Sequence, residues 1–331
     1  MQYGLFKVGS RPYCVWEVNL HERNLEFINA IDPEYFEYQA LAHIENLNSE
    51  HKQRAALALR NSFHHGLETL FALICAVLQA PDCIHGWMLK YTLSDLRALL
   101  TELNSGRVNF FHKHNLEKPL SWLYLSERVH EFSNKDPERV KETVLLFAQL
   151  WQRLCRVYLD EQTVNEYNSI KHGHRALSGG FTFAIGVEKE YGVPAPQENM
   201  TVIGASEFGS SFFVAEAIQG KNKIKGDPNF KTGRYALNWD AEATAHALNL
   251  ISTSINNVKS YALRLNGAKP GTVIFTRPRD PEYFDKPWET SVGVIGSSLG
   301  VVVDEPQIKR FTREEIEEKF KKAAREKRRS A

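Results

Sequence analysis

At 331 residues and 37.9 kDa the chain exceeds the roughly 250 to 300 residues at which a single core stops growing, so two structural units are expected. A content of 43% hydrophobic and 24% charged residues excludes a disordered or fibrous chain, and a formal net charge of +1 excludes any general attraction to polyanions, so nucleic-acid binding would rest on local patches. Four cysteines without CxxC spacing point to reduced thiols rather than a zinc site or a disulfide framework.

The amino terminus, MQYGLFKVGSRPY, lacks the basic start and apolar run of a secretory signal. The longest apolar stretch, LFALICAVL at 70–78, is too short to cross a bilayer, so a cytoplasmic protein without a membrane partner is expected. Asp32-Pro33-Glu34 reads as a helix start, with an acid as the cap and proline where its missing N–H costs nothing. The same DPEYF pentapeptide returns at 280–284, where nothing around it repeats, and is read as reuse of one good helix start. Leu57, Leu67, Phe71 and Leu78 recur at helical spacing within 49–79, and Ala80-Pro81-Asp82 ends that helix. Shorter helices are expected at 93–103 and 119–132.

Asp136-Pro137-Glu138 caps what reads as the longest helix, carried by Val140, Val144, Phe147, Trp151, Leu154 and Tyr158 and continuing through 175 to Ser178-Gly179-Gly180. There the period changes to two, with strands expected at 181–187, 201–206 and 211–218 and a hairpin turn, SEFGS, joining the last two. A helix at 240–265 is entered at Asp240 and closed by Asn266-Gly267, and 271–278, 290–296 and 299–305 are further strand candidates. The final helix opens on a capping box, Thr312 to Glu315, and ends in a basic tail. The expected fold class is α+β, an α-helical bundle over 1–178 followed by a smaller mixed strand and helix portion over 179–331. The alternative is one α+β domain in which the 240–265 helix packs back onto the bundle.

Two polar clusters interrupt this apolar pattern. In LRNSFHHGLE, residues 59–68, Arg60, His64 and Glu68 share one helix face and Asn61 and His65 the adjacent strip. In YNSIKHGHR, residues 167–175, Asn168, Lys171 and Arg175 align, with His172 displaced by about 100° from Lys171. If the two helices are antiparallel neighbours, both patches meet in one pocket. Guanidinium, imidazole, amide and ammonium groups together suit phosphodiester cleavage without metal: an imidazole takes a proton from a ribose 2′-hydroxyl and an arginine steadies the phosphorane. A purely architectural alternative pairs Arg60 with Glu68 and ties the histidines to neighbouring helices. A metal alternative gathers His64 or His65, Glu68, His172 and His174.

Arg60-Asn61-Ser62-Phe63-His64-His65 resembles the R-x(4–6)-H signature of HEPN domains, helical bundles found in many prokaryotic toxin and antiviral ribonucleases, in which a polar residue often follows the arginine. The resemblance covers at most the first 178 residues and implies metal-independent endoribonuclease activity of toxin or defence type, with no cofactor. Arg60 would hold the phosphate, His65 would act as acid or base, Asn61 would support the site and His64 would join it. Glu68, Asn168, Lys171, His172 and Arg175 would contact substrate. A homodimer, RNA and an antitoxin or defence protein are the partners it implies. A second such spacing, Arg107 to His112 or His114, follows Ser105-Gly106 and reads as a loop. The other reading is a non-catalytic HEPN-like module that binds RNA, a nucleotide or a partner protein.

Overall fold

The computed structural model describes residues 2–106, 120–217, 230–300 and 311–329. The fold is α+β, with helices dominating up to position 171 and small antiparallel sheets beyond it. An unanticipated hairpin comes first, β1 (Gln2–Val8) and β2 (Arg11–Glu17), turning at Gly9, whose φ of 62° favours glycine. Phe6 and Val8 point into the core, while Tyr3, Leu5 and Trp16 are exposed.

After α1 (Leu20–Ala30) and α2 (Glu34–Ile44) comes α3 (Lys52–Gln79), at 28 residues longer than any other helix among the described residues. It is the axis of the bundle: Leu67, Leu70, Phe71, Leu73 and Cys75 are fully buried, and each such Leu or Phe contributes about 1.5 to 3 kcal/mol. The kink at 80–83 leads into α4 (Ile84–Lys90) and then α5 (Leu93–Asn104), which starts at a capping box between Thr92 and Asp95. The expected loop at Arg107 to His114 lies outside the described residues.

Beyond α6 (Trp122–His130), α7 (Pro137–Leu159) begins as its sequence predicts, with Asp136 accepting from the Glu138 amide. It does not continue to 175. Asp160, in extended conformation, ends α7 and caps α8 (Glu161–Lys171), and Arg97 fills the last carbonyls of α7 by donating to Tyr158 and Leu159.

The helix expected at 240–265 is α9 (Ala241–Leu265), capped by Asp240 and followed by Gly267 with φ 93°. It packs along α3 and α2, and the hydrophobic core is continuous across residue 178, where the bundle was expected to end. Gly66 allows the approach: a Cβ there would lie 3.1 Å from both Leu248 and Ile251.

A four-stranded antiparallel sheet has the order β3 (Ala176–Ser178), β6 (Gly209–Ala217), β7 (Phe230–Asn238), β8 (Gly296–Gly300), and β4 (Thr182–Ile185) pairs with β5 (Thr201–Ala205). The hairpin expected between β5 and β6 is corrected. Those strands belong to different sheets, and 206–208 is a crossing at which the Ser206 amide donates to Phe181 O and the Gly180 amide to Glu207 O. The segment 271–278 is not a strand either. Its partners are side chains of α9: Asn257 exchanges two hydrogen bonds with the Thr276 backbone (2.8 Å each), and Asn256 and Ser260 donate to Ile274 O. The second DPEYF forms only a 3₁₀ turn, Pro281–Phe284, which sets the Phe284 ring edge-on against Phe147. Of the candidate strand at 290–296 only Gly296 is in a strand, as the first residue of β8, and the candidate at 299–305 extends past 300 outside the described residues. Helix α10 (Arg313–Arg329) starts with the predicted reciprocal bonds between Thr312 and Glu315. No single helix among the described residues is long and apolar enough to cross a membrane.

Candidate functional site

Members of both polar clusters meet at one seam, between α3 and α8. Arg60 and His64 reach Glu166, whereas Glu68, two turns further along α3, reaches Tyr167 and Lys171. Residue numbers rise together along the seam, so α3 and α8 run parallel here, not antiparallel as expected.

Glu166 is the centre of the first group. It is fully buried, yet Arg60 donates to its Oε2 through Nε (3.0 Å) and Nη2 (2.8 Å), and His64 Nε2 donates to the same oxygen at 3.0 Å. Ser210 Oγ and Trp239 Nε1 donate to Oε1, so a strand and the entry to α9 join the network. The guanidinium lies over the rings of Phe63 and Trp239, 5.2 and 5.5 Å from their centroids. Burial alone would push the Glu166 carboxyl up, but the Arg60 charge and the bonds from His64 and Arg60 hold it well below the usual carboxylate range. Burial, against the bond to Glu166, pushes His64 down, so it sits as a neutral imidazole donating from Nε2. Arg60 pairs with Glu166 and not with Glu68, and its fork already holds a carboxylate where a phosphate was expected.

The second group is more open. Glu68 accepts from the hydroxyls of Tyr91 (3.1 Å) and Tyr167 (3.0 Å), with Lys171 Nζ at 3.5 Å. Burial above all, with the Glu68 charge adding, raises the pKa of both phenols, so they remain donors. Tyr167 connects the two groups by stacking on His64, with ring centroids 5.1 Å apart.

His65 points elsewhere. It is exposed on the α2 side of α3, its ring edge-on to Phe36 at 5.3 Å and Tyr35 at 6.5 Å. Partial burial lowers its pKa, Glu68 raises it and Lys171 lowers it, which places both charges within electrostatic range. The structure therefore brings Arg60 together with His64 and does not bring it to His65. Asn61, Lys171, His172 and Arg175 are exposed and Asn168 is half-buried. His172 ends α8, and the chain turns through His174, which has a φ of 50°, before β3.

Glu166, Tyr91, Ser210 and Trp239 were missing from the sequence reading. Glu166 did leave a signal: it shares helical spacing with the buried Thr163 and Ile170, an acid on an inward face. Among the described residues no three His, Cys, Asp or Glu side chains gather as a metal site requires. Comparison with protein-family models, with curated proteins and with solved structures finds no match to this chain.

Proposed function

We propose that the chain is a cytoplasmic, HEPN-like interaction module that binds single-stranded RNA on the exposed side of the α3 and α8 seam without cutting it. One observation carries the reading: Glu166 takes Nε and Nη2 of Arg60 and Nε2 of His64, so the guanidinium edge and the imidazole that would act on a phosphodiester are already engaged by a buried carboxylate. What stays exposed is Asn61, His65, Lys171, His172 and Arg175, with the ring of Tyr35 beside His65. Cations and an accessible aromatic ring are the two elements of sequence-tolerant single-strand binding.

Fluorescence anisotropy with a short unstructured RNA in EDTA tests it. Wild type is expected to bind and leave the RNA intact, and Lys171→Ala with Arg175→Ala to weaken binding and flatten its salt dependence. Cleavage in EDTA that Arg60→Ala removes without unfolding the chain would reinstate the nuclease reading. That second reading has one observation in its favour. His65 is exposed with a lowered pKa, hence neutral near pH 7, with the Lys171 ammonium in electrostatic range as a phosphate holder. A homodimer and an antitoxin or defence protein belong to the same proposal, and sedimentation of the pure chain checks the first.

A further inference from the structure

Past the turn that ends α8, the outer face of the four-stranded sheet holds an aromatic ring in the open. Successive residues of β6 point to opposite sides, so Phe212 is in the core at 1% exposure and Phe213 stands on the outer face at 61%. An antiparallel sheet with one open face ordinarily turns polar side chains to it, and a phenylalanine there departs from that pattern. Its neighbours on the face are small. Ser211 and Ala215 flank it along β6, and Thr232 and Ala236 lie diagonally across on β7, so the ring projects from a level surface.

Two arginines bracket the ring. Arg234 is the direct cross-strand partner of Phe213, and its Nη2 donates to Ser211 Oγ at 3.4 Å. On the other side β3 pairs Ala176 with Phe212 and Leu177 with Ser211, and one step back along that register sets Arg175 beside Phe213. Alternation puts Arg175 on the face of the exposed Leu177, away from the buried Ala176. The Arg175 amide donates to Ser169 O at 2.7 Å, which fixes the turn that delivers it to the sheet. Both arginines are exposed, and neither makes an ion pair among the described residues. Neighbouring strands are about 4.8 Å apart, so the two backbones stand about 10 Å from each other and both side chains can reach one bound nucleotide.

We propose that this sheet face continues the RNA path of the α3 and α8 seam, with one base stacked on Phe213 and its flanking phosphates held by Arg175 and Arg234. The inference rests on the RNA-binding reading, with which it shares Arg175. Lys171, His172 and His174, all exposed, line the turn between the seam and the sheet. Every base has a flat face to lay on the ring, and the phosphates supply the negative charge that the two guanidinium groups call for, so the contact is tolerant of sequence.

The test uses the full chain and a short unstructured RNA containing 5-iodouridine, a base that photo-crosslinks to an aromatic ring stacked on it. Irradiated wild type is expected to crosslink at Phe213, located by mass spectrometry of its peptides. In anisotropy Phe213→Ala should weaken binding about tenfold without changing its salt dependence, and Phe213→Tyr should restore it. Arg234→Ala should instead lower the salt slope, by about 0.7. Trp16→Ala, which removes a similarly exposed aromatic from the first hairpin, should change neither quantity. Circular dichroism establishes that each variant is folded, as the exposure of Phe213 and Arg234 favours. Binding that Lys171→Ala weakens but that neither Phe213→Ala nor Arg234→Ala alters overturns the inference and leaves the RNA reading standing, whereas no binding by wild type overturns both. Self-association that Phe213→Ala abolishes, with RNA affinity unchanged, assigns the face to a second copy of the chain and overturns the inference as well.

Discussion

Two carboxylates cross the seam between α3 and α8 in opposite directions. Glu166 belongs to α8 and collects a guanidinium and an imidazole from α3, whereas Glu68 belongs to α3 and collects the Tyr167 phenol and the Lys171 ammonium from α8, with the Tyr91 phenol reaching it from the end of α4. The first is fully buried with its donors fixed, and the second keeps an exposed lysine. A closed ion pair fixes how two helices meet, because either charge left alone is costly, while a half-open one leaves side chains able to exchange partners.

Removing the closed acid should have the largest effect. Glu166→Ala leaves Arg60 buried and uncompensated and is expected to cost about 3 to 5 kcal/mol in urea unfolding. A cost below about 1 kcal/mol would show that the seam does not depend on this pair. Acid comes next. His64 and His130 both have folded pKa values below the unfolded one, so the stability they support is complete above about pH 6.5 and declines as pH falls toward the folded value. Burial pushes His130 down to about 4, which corresponds to about 3 kcal/mol lost between those limits. Melting curves from pH 8 to 4 should flatten in His130→Gln, and further in its double variant with His64→Gln. Unchanged curves would mean that neither imidazole is held neutral. Glu166, with its depressed pKa, adds a separate decline below about pH 4.3.

The open acid should matter less. Glu68→Gln keeps an acceptor for the tyrosines but loses the charge, and about 1 kcal/mol is expected in the same urea assay. Lys171→Ala should change stability by less than about 1 kcal/mol, because the ammonium is partly solvated, while RNA anisotropy still responds. An equal loss of stability from Glu68→Gln and Glu166→Ala would erase the distinction between the two sites.

Local rules made parts of this molecule legible. The start of α7 at Asp136-Pro137, both ends of α9 and the Thr312 capping box are set by neighbours within four residues, and each appears where the sequence puts it. The first hairpin was obscured because apolar residues lie on both its faces, Phe6 and Val8 inward and Tyr3 and Leu5 outward, which blurs the alternation that marks a strand. SEFGS has the composition of a hairpin turn, but the partners of β5 and β6 are chosen by contacts distant in sequence. At the seam, helical spacing correctly put Arg60 and His64 on one face. Nothing local announces that Glu166, 106 residues later, completes it, and the parallel course of α8 depends on everything between.

Asn257 carries a consequence for how the chain breathes. With one amide group it gives the backbone at Thr276 the two hydrogen bonds that a neighbouring strand would have supplied, and a third contact, Nδ2 to His130 Nε2 at 3.1 Å, joins it to the buried imidazole. The stretch around 274–277 is therefore anchored by a few side chains and not by a cooperative ladder. In native-state hydrogen exchange the Thr276 amide should open as a small local unit, well before the core of α3, and Asn257→Leu should release that amide while leaving exchange along the central helix unaltered.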